Sequence, residues 1–242
     1  MGESFLSKYG SYFIQGTQTT ILISMFTLIL GFVGGIFICL GRISKNKIVS
    51  FISTAYIEIL RGTPLLVQLY LIYFGLPTLG IKFPDIGSIP SEYITAVVAL
   101  SINSSAYIAE ILRSGIQSID KGQMEAARSL GLDYKTSMRK VIVPQGLKNS
   151  LPSLANEFIV LIKESSIVSL IGIRDIMYSA DTVRGITYLP FHSLILAAII
   201  YFVLTFTLSK LVGVWEKKLH EPVLIKNKKT MKKDKEKIKS NA

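Results

Sequence analysis

QMEAARSLGLDY, residues 123–134, is a polar, helix-prone stretch that lies between two long apolar segments of the chain. Asp120 is a helix-capping residue type and can begin a helix over 123–130. Glu125 lies in the first turns of that helix, where a carboxylate suits the positive end of the helix dipole. Gly131 follows at the position where a left-handed residue closes many helices. The stretch therefore predicts a capped helix that ends in a glycine corner.

The residues after the corner predict a second helix. Asp133 can cap a helix over 134–143, and Pro144 is expected to end it. The whole insert, residues 114–148, is longer than a connection between two helices usually is. Two alanines on the first helix leave space for a partner to approach closely. We therefore interpret the insert as a docking surface rather than as a simple connection.

The rest of the chain is apolar enough for a membrane protein. Of its 242 residues, 50% are hydrophobic, and the mean hydropathy is +0.46. A helix that crosses a bilayer needs about 20 mostly apolar residues. We predict an all-α membrane protein with five transmembrane helices, at residues 21–40, 62–81, 93–109, 151–173 and 185–209.

Positive charges give a predicted orientation. Lysine and arginine residues near the predicted spans lie mainly after the first, third and fifth spans. Because such residues collect on the cytoplasmic side, we expect the N-terminus outside and the C-terminus in the cytoplasm. This bias explains most of the formal net charge of +11, so no nucleic-acid partner is expected. The predicted domains are an interfacial segment (1–16), a transmembrane domain (17–220) that includes the insert, and a lysine-rich, disordered cytoplasmic tail (221–242).

Two smaller features concern helix geometry. Gly31 and Gly35 form a GxxxG pair, a spacing that lets another helix approach closely, so we predict helix packing there. Pro64 is expected in the first turn of the second span. Arg61 is expected at the headgroup level, paired with Glu58 as an i, i+3 neighbour.

The insert resembles the EAA loop of ABC-transporter permeases. The matching pattern is Glu125-Ala126-Ala127, three residues, Gly131, nine residues, Val141, one residue, and Val143-Pro144. The family pattern prefers Ile and Leu where this chain has the two valines. The resemblance implies that the first helix is a coupling helix, which inserts into a cleft of a separate ATP-binding subunit. The residues it assigns to this coupling are Glu125, Ala126, Ala127, Gly131 and Pro144.

Further segments extend the resemblance over about residues 12–222. They are GTQTT at 16–20, EILRGTPLLVQ at 58–68, AYIAE and RSGI within 106–116, and KESSIVSLIG at 163–172. Together with the EAA loop they are similar to the polar amino-acid importers of the superfamily, the histidine, glutamine, arginine or cystine type. The resemblance implies a type I importer permease fold in a bacterial plasma membrane. It also implies an ABC ATPase dimer, a second permease copy or related chain, and an extracytoplasmic amino-acid-binding protein as partners.

Charged residues inside the fourth predicted span mark a candidate substrate site, since charges in a bilayer are costly and indicate pathways or paired sites. Glu157 and Glu164 are seven residues apart, so they share one helix face at a separation of about 10 Å. Two carboxylates that face a cavity would suit an ammonium or guanidinium group, which favours a cationic or zwitterionic substrate. The alternative is that Glu164 only pairs with a cation such as Lys163. The other candidate substrate-binding residues are Ser165, Asn103, Ser104 and Ser105.

The predicted function is a permease subunit that forms the substrate pathway and is not itself an enzyme. No Gly-x-x-x-x-Gly-Lys-Ser/Thr occurs in the sequence, so ATP and Mg²⁺ are expected in the partner ATPase. A lone cysteine and two separated histidines give no metal-binding pattern. One alternative is an ion-coupled secondary amino-acid transporter that uses Glu157 and Glu164 as its coupling site, and another is a membrane scaffold. The docking insert argues against the first alternative, and the charges inside a span argue against the second.

Overall fold

The computed structural model describes residues 5–220, and in this part the chain is almost entirely helical. Residues 1–4 of the predicted interfacial segment and the predicted lysine-rich tail, 221–242, lie outside the described residues. The α-helices are α1 (Phe5–Arg42), α2 (Lys47–Gly62), α3 (Leu65–Tyr70), α4 (Leu76–Thr78), α5 (Ser91–Gln117), α6 (Lys121–Ser129), α7 (Tyr134–Ser137), α8 (Val143–Glu164), α9 (Ile176–Thr187) and α10 (Pro190–His220). Two π-helical turns, Leu71–Gly75 and Met138–Ile142, join α3 to α4 and α7 to α8 without a break, and a 3₁₀ turn, Ser165–Ile171, continues α8.

Three helices in the described part of the chain are long and apolar enough to cross a membrane, namely α1, α5 and the Pro190–Lys217 part of α10. A fourth crossing is possible if Lys47–Gly62 and Leu65–Thr78, which meet at a bend of 107°, act as one broken span. The fourth predicted span corresponds to α8, which carries several polar and charged residues and does not join this set. The count of five spans and the orientation therefore stay predictions.

The centre of the bundle is the close contact between α1 and α5. A Cβ placed at Gly31 would lie 3.1 Å from the Cβ of Ser104, and one placed at Gly35 would lie 2.6 Å from Cγ2 of Ile108. Real Cβ atoms essentially never approach another heavy atom to 2.6 Å, so the backbone of α1 needs glycine at Gly35. The 3.1 Å distance at Gly31 is tight as well. The predicted packing role of the GxxxG pair is confirmed.

Helix α2 is an element that the sequence reading missed. It begins at a side-chain cap, where Asn46 Oδ1 accepts a hydrogen bond from the backbone N–H of Ile48 at 2.9 Å. It ends at Gly62, and Pro64 stands immediately before α3 rather than within its first turn. The chain therefore turns sharply at 62–64, at the start of the second predicted span, and an unpredicted helix precedes the turn.

The insert forms as predicted up to its glycine corner. Asp120 Oδ1 accepts from the N–H of Gly122 at 2.7 Å, and Asp133 Oδ2 accepts from that of Lys135 at 3.2 Å. Gly131 has φ +85°, and the N–H of Leu132 donates to the carbonyl of Ala127 at 3.2 Å, as in a Schellman motif.

The expectation that Pro144 ends the second helix is wrong. Helix α7 passes through the π turn directly into α8, and Pro144 occupies the first turn of α8, where proline needs no donor. The wider π turn allows this continuity, because the N–H of Val143 donates back to the carbonyl of Met138. The insert is therefore joined rigidly to the long helix α8 rather than hinged from it.

The stretch between the fourth and fifth predicted spans is mostly helix α9, Ile176–Thr187. Asp175 caps it by accepting from the N–H of Tyr178 at 2.8 Å. Helix α9 packs on α1 and α10 through a buried cluster of Phe13, Ile176, Ala180, Val183 and Ala197. The last long helix begins only at Pro190, five positions after the predicted start at 185, because α9 occupies those residues.

Candidate functional site

The first candidate surface is the exposed side of α6 and its C-cap, formed by Glu125, Ala126 and Leu130, which we call the free face of α6. Ala127 is buried against the bundle at 5% exposure, whereas Glu125 and Ala126 are exposed. Leu130, a large apolar side chain, is 83% exposed beside the exposed Gly131. Four of the five predicted coupling residues thus lie on the surface, Pro144 included, and the fifth anchors the helix to the bundle.

The insert is fixed to the bundle from both sides. On one side, Lys45, from the short turn between α1 and α2, places its ammonium 4.9 Å from the centroid of the Tyr134 ring. On the other side, Asn149 Nδ2 donates to Ser118 Oγ at 3.0 Å, which links α8 to the end of α5. The pKa of Asp133 is lowered, chiefly by a hydrogen bond from the Thr136 side chain, so its cap stays ionised at neutral pH. The free face of α6 is therefore carried on a fixed support.

The two carboxylates of α8 lie in different surroundings. Glu157 is 7% exposed, and its Oε1 accepts a hydrogen bond from Ser104 Oγ of α5 at 3.2 Å. Glu164, at the last residue of α8, is exposed. Helices α1, α5 and α10 pack on α8, and Ser104 of α5 contacts Glu157, whereas Glu164 borders a cavity. The seven-residue spacing therefore does not place both groups in one cavity.

Glu164 borders a cavity of about 540 Å³, which lies beside the start of α3 and the 3₁₀ turn. Asp181 of α9 also lines it and pairs with Arg184 at 3.0 Å. Among residues 5–220, Glu164 is not part of any ion pair within 4 Å, so pairing with Lys163 is not seen. The lining residues are Leu65, Leu66, Glu164, Ser166, Ile167, Ser169, Leu170, Met177 and Asp181.

The turn after Glu164 decides which hydroxyls reach this cavity. Ser165 is buried, and its hydroxyl donates to the carbonyl of Ile162 at 2.9 Å. Ser166 lines the cavity instead. Asp181 was missed as a lining residue because only the folding of 176–187 into a helix brings it near Glu164.

The three polar residues of α5 are all buried and have separate partners. Asn103 Nδ2 donates to Gln68 Oε1 at 2.8 Å, and Ser105 Oγ lies 2.7 Å from the hydroxyl of Tyr56. Ser104 contacts Glu157. Of these three candidate residues, only Ser104 forms a hydrogen bond to α8 in the described part of the chain.

Gln68 stabilises the break between α2 and α3. Its Nε2 donates to the carbonyl of Leu60 at 2.8 Å and to the carbonyl and hydroxyl of Thr63 at 3.1 Å and 2.8 Å. These carbonyls would otherwise have no helical partner, since the helix ends there. Asn103 holds Gln68 in place from α5. The polar pair thus fixes the bend.

A second cavity, of about 350 Å³, lies between the end of α2, α5 and α8, close to the insert. Arg61 borders it, with its guanidinium 5.4 Å from the centroid of the Tyr107 ring, and the predicted pairing with Glu58 is not among the ion pairs of residues 5–220. Glu110 also borders the cavity and forms an ion pair with Arg113, whose Nε donates to Glu110 Oε2 at 2.8 Å. Arg61 belongs to the segment EILRGTPLLVQ, and Glu110 belongs to the segment AYIAE, both of which carry the family resemblance.

Comparisons with known proteins agree with this geometry. The profile of the family described as "Binding-protein-dependent transport system inner membrane component" matches residues 28–221. A probable glutamine ABC transporter permease of Bacillus subtilis (strain 168) is 40% identical over 221 residues, which cover 91% of this chain and 99% of the relative. An arginine transport system permease of the same organism is 41% identical over 208 residues, covering 86% and 92%.

Solved structures show the same fold. A crystal structure of an amino acid ABC transporter with histidines contains a chain that is 47% identical, has a TM-score of 0.83, and matches over 90% of this chain and 100% of its own. A methionine ABC transporter in an inward-facing conformation is 18% identical with a TM-score of 0.72 over 91% of this chain and 100% of its own, which shows a shared fold. The profile match and the identities together mean that the chain belongs to the family of binding-protein-dependent transport system inner membrane components, multi-pass proteins of the bacterial plasma membrane.

Proposed function

We propose that the chain is the permease subunit of an ATP-driven ABC importer for polar amino acids. The observation that carries this proposal is the free face of α6, a capped and glycine-closed helix that presents Leu130 to solvent from a fixed support. The exposed small residues Ala126 and Gly131 beside Leu130 let a protein partner approach this helix closely. Support for the substrate class comes from relatives described for glutamine and arginine and from a structure described with histidines.

The coupling works through rigid bodies. ATP and Mg²⁺ are held by a partner ATPase, since this chain has no phosphate-binding loop. The free face of α6 inserts into a cleft of that subunit, with Glu125, Ala126 and Gly131 at the contact. Because α7, the π turn and α8 are continuous, a displacement of the insert is transmitted directly to α8, which carries Glu157 and Glu164.

The substrate path runs along the end of α8. Glu164 and Ser166 bind the ammonium or guanidinium group in the 540 Å³ cavity. The remaining candidate residues do not line this cavity and contribute by holding the neighbouring helices in position: Asn103, Ser104, Ser105, Ser165 and Glu157. The cavity is open on one side, and a second copy of the permease, or a related chain, closes it. The insert faces the cytoplasm, the N-terminus lies outside, and an extracytoplasmic amino-acid-binding protein delivers the substrate to the opposite face of this membrane protein.

The test is reconstitution of the purified complex in vesicles with the binding protein outside and ATP inside. Radiolabelled glutamine, arginine and histidine are supplied in turn. We expect uptake of at least one of them only with ATP, and none when the ATPase carries a substitution in its phosphate-binding lysine. Uptake that proceeds without ATP under a sodium or proton gradient would contradict the proposal and favour the secondary-transporter alternative.

A further inference from the structure

The two cavities are neighbours along the chain. Arg61 lines the 350 Å³ cavity near the insert, and Leu65 lines the 540 Å³ cavity that holds Glu164. Only residues 62–64, which form the sharp break between α2 and α3, separate these two positions. The 350 Å³ cavity therefore lies on one side of this break, the side nearer the insert, and the Glu164 cavity lies on the other.

The lining of the second cavity contains both signs of charge. Arg61 is exposed and held over Tyr107 by a cation–π contact, which fixes the guanidinium while leaving its N–H groups free to donate. Glu110 is engaged by Arg113, but a carboxylate has about four acceptor positions and can accept further donors. The polar groups that complete the lining come from Ser114, Ser118, Asn149 and Ser153.

These groups match the backbone ends of a free α-amino acid. A guanidinium is the side chain best suited to bind a carboxylate, by paired N–H···O bonds. Glu110 and the side-chain carbonyl of Asn149 can accept from an ammonium group. A lipid phosphate could bind Arg61 but would offer no donor to Glu110 and Asn149, and a metal cation would be repelled by Arg61. The volume, about 350 Å³, is at the low end of the range for small-molecule sites.

We propose that this cavity is a second amino-acid site, which binds the α-carboxylate through Arg61 and the α-ammonium through Glu110 and Asn149 on the side of the break where the substrate leaves. The proposal rests on the proposed function, because it takes the same class of substrate. It differs from the Glu164 site in the part of the amino acid that it contacts. Contacts to the two backbone ends alone make it indifferent to the amino-acid side chain, so several amino acids bind it with similar affinity.

The experiment measures equilibrium binding of radiolabelled arginine, glutamine and histidine to the permease–ATPase complex in discs of neutral lipid, without nucleotide or binding protein. We expect two classes of sites in the native protein. Arg61→Gln weakens only the less selective class, by about tenfold or more, since a charged hydrogen-bond pair is lost. Glu164→Gln weakens only the other class. Arginine methyl ester, which lacks the carboxylate, fails to compete at the Arg61-dependent class.

Two further variants keep the result interpretable. Lys210→Gln, which removes an exposed cation on α10 far along the chain from both cavities, is the matched control and keeps both classes. Ser153→Phe fills the cavity from an exposed position of α8 and leaves the contact between Arg61 and Tyr107 in place. It therefore tests the site independently if Arg61→Gln does not fold.

Three results overturn the inference. A single class in the native protein that Glu164→Gln removes, with Arg61→Gln and Ser153→Phe at native affinity, rejects the second site and leaves the proposed function intact. Loss of the Arg61-dependent class when phosphatidylglycerol is added to the discs shows that the cavity takes a lipid phosphate instead. Absence of any amino-acid binding, together with absence of ATP-dependent uptake, rejects the proposed function as well.

Discussion

Gly131 is the position at which a single substitution tests the coupling role of α6. Its φ of +85° lies in the left-handed region, and a Cβ added there would meet no heavy atom within 4 Å. The effect of a side chain at this site is therefore backbone strain alone, without steric clash. Substituting Val, which is β-branched, costs roughly 1–3 kcal/mol, whereas Asn adopts this conformation readily.

The strain has a direct consequence for the docking helix. A cost of about 1–3 kcal/mol corresponds to roughly a 5- to 150-fold shift away from the native corner. Because the corner sets the angle between α6 and the α7–α8 helix that follows it, this shift displaces the docking face relative to α8 while the membrane helices stay in place. We expect the loss of coupling to follow the order Gly131→Val, then Gly131→Ala, with Gly131→Asn close to the native protein.

The assay is the number of amino-acid molecules taken up per ATP hydrolysed in reconstituted vesicles. Gly213→Val is the matched control, because a Cβ there also meets nothing within 4 Å and its φ is not in the left-handed region. Native coupling in Gly131→Val, or an equal loss in Gly213→Val, would show that the glycine corner has no specific role in coupling.

Three further predictions concern the helices that carry the site. Glu164→Gln is expected to lower uptake while the ATPase still co-purifies in native amount, and unchanged uptake kinetics would remove Glu164 from the substrate site. Gly35→Ala is expected to lower the thermal unfolding midpoint in detergent, because its Cβ would lie 2.6 Å from Ile108, whereas Gly10→Ala, with open space around it, leaves the midpoint unchanged; equal midpoints would contradict this packing account. Gln68→Leu removes the Gln68 donor from the carbonyls of Leu60 and Thr63 and leaves the buried Asn103 without its Gln68 acceptor, so it is expected to lower the free energy of unfolding by about 1–3 kcal/mol in total. A Gln68→Leu protein as stable as the native one would show that water donates to the carbonyls of Leu60 and Thr63 in place of Gln68.

The features that the sequence predicted well are local ones. Asp120, Asp133 and Gly131 act through hydrogen bonds and dihedral angles within a few residues, so their roles can be read from residue types alone. The GxxxG pair is similar, because small residues at that spacing nearly always allow close approach.

The features that were missed depend on more distant contacts. Helix α2 is amphipathic, with Ser53 and Ile57 buried and the rest mostly facing outward, so a search for continuous apolar runs passes over it. The continuity through Pro144 depends on a π turn, which has no clear sequence signal. Glu157 and Glu164 share a helix face, but tertiary packing covers one and leaves the other exposed.

Site-specific photocrosslinking from α6 shows whether this helix contacts an ATP-binding-cassette subunit. A Leu130→Cys variant is labelled with a thiol-reactive photocrosslinker, and the one native cysteine, Cys39, is buried at 3% exposure and shielded from the reagent. Leu79→Cys is the matched control, since Leu79 is also highly exposed, at 75%, but lies just after α4, outside the insert. We expect crosslinks from position 130, and none from position 79, to an ATP-binding-cassette subunit. Absence of crosslinks from position 130 in a complex that still transports with ATP would contradict this expectation.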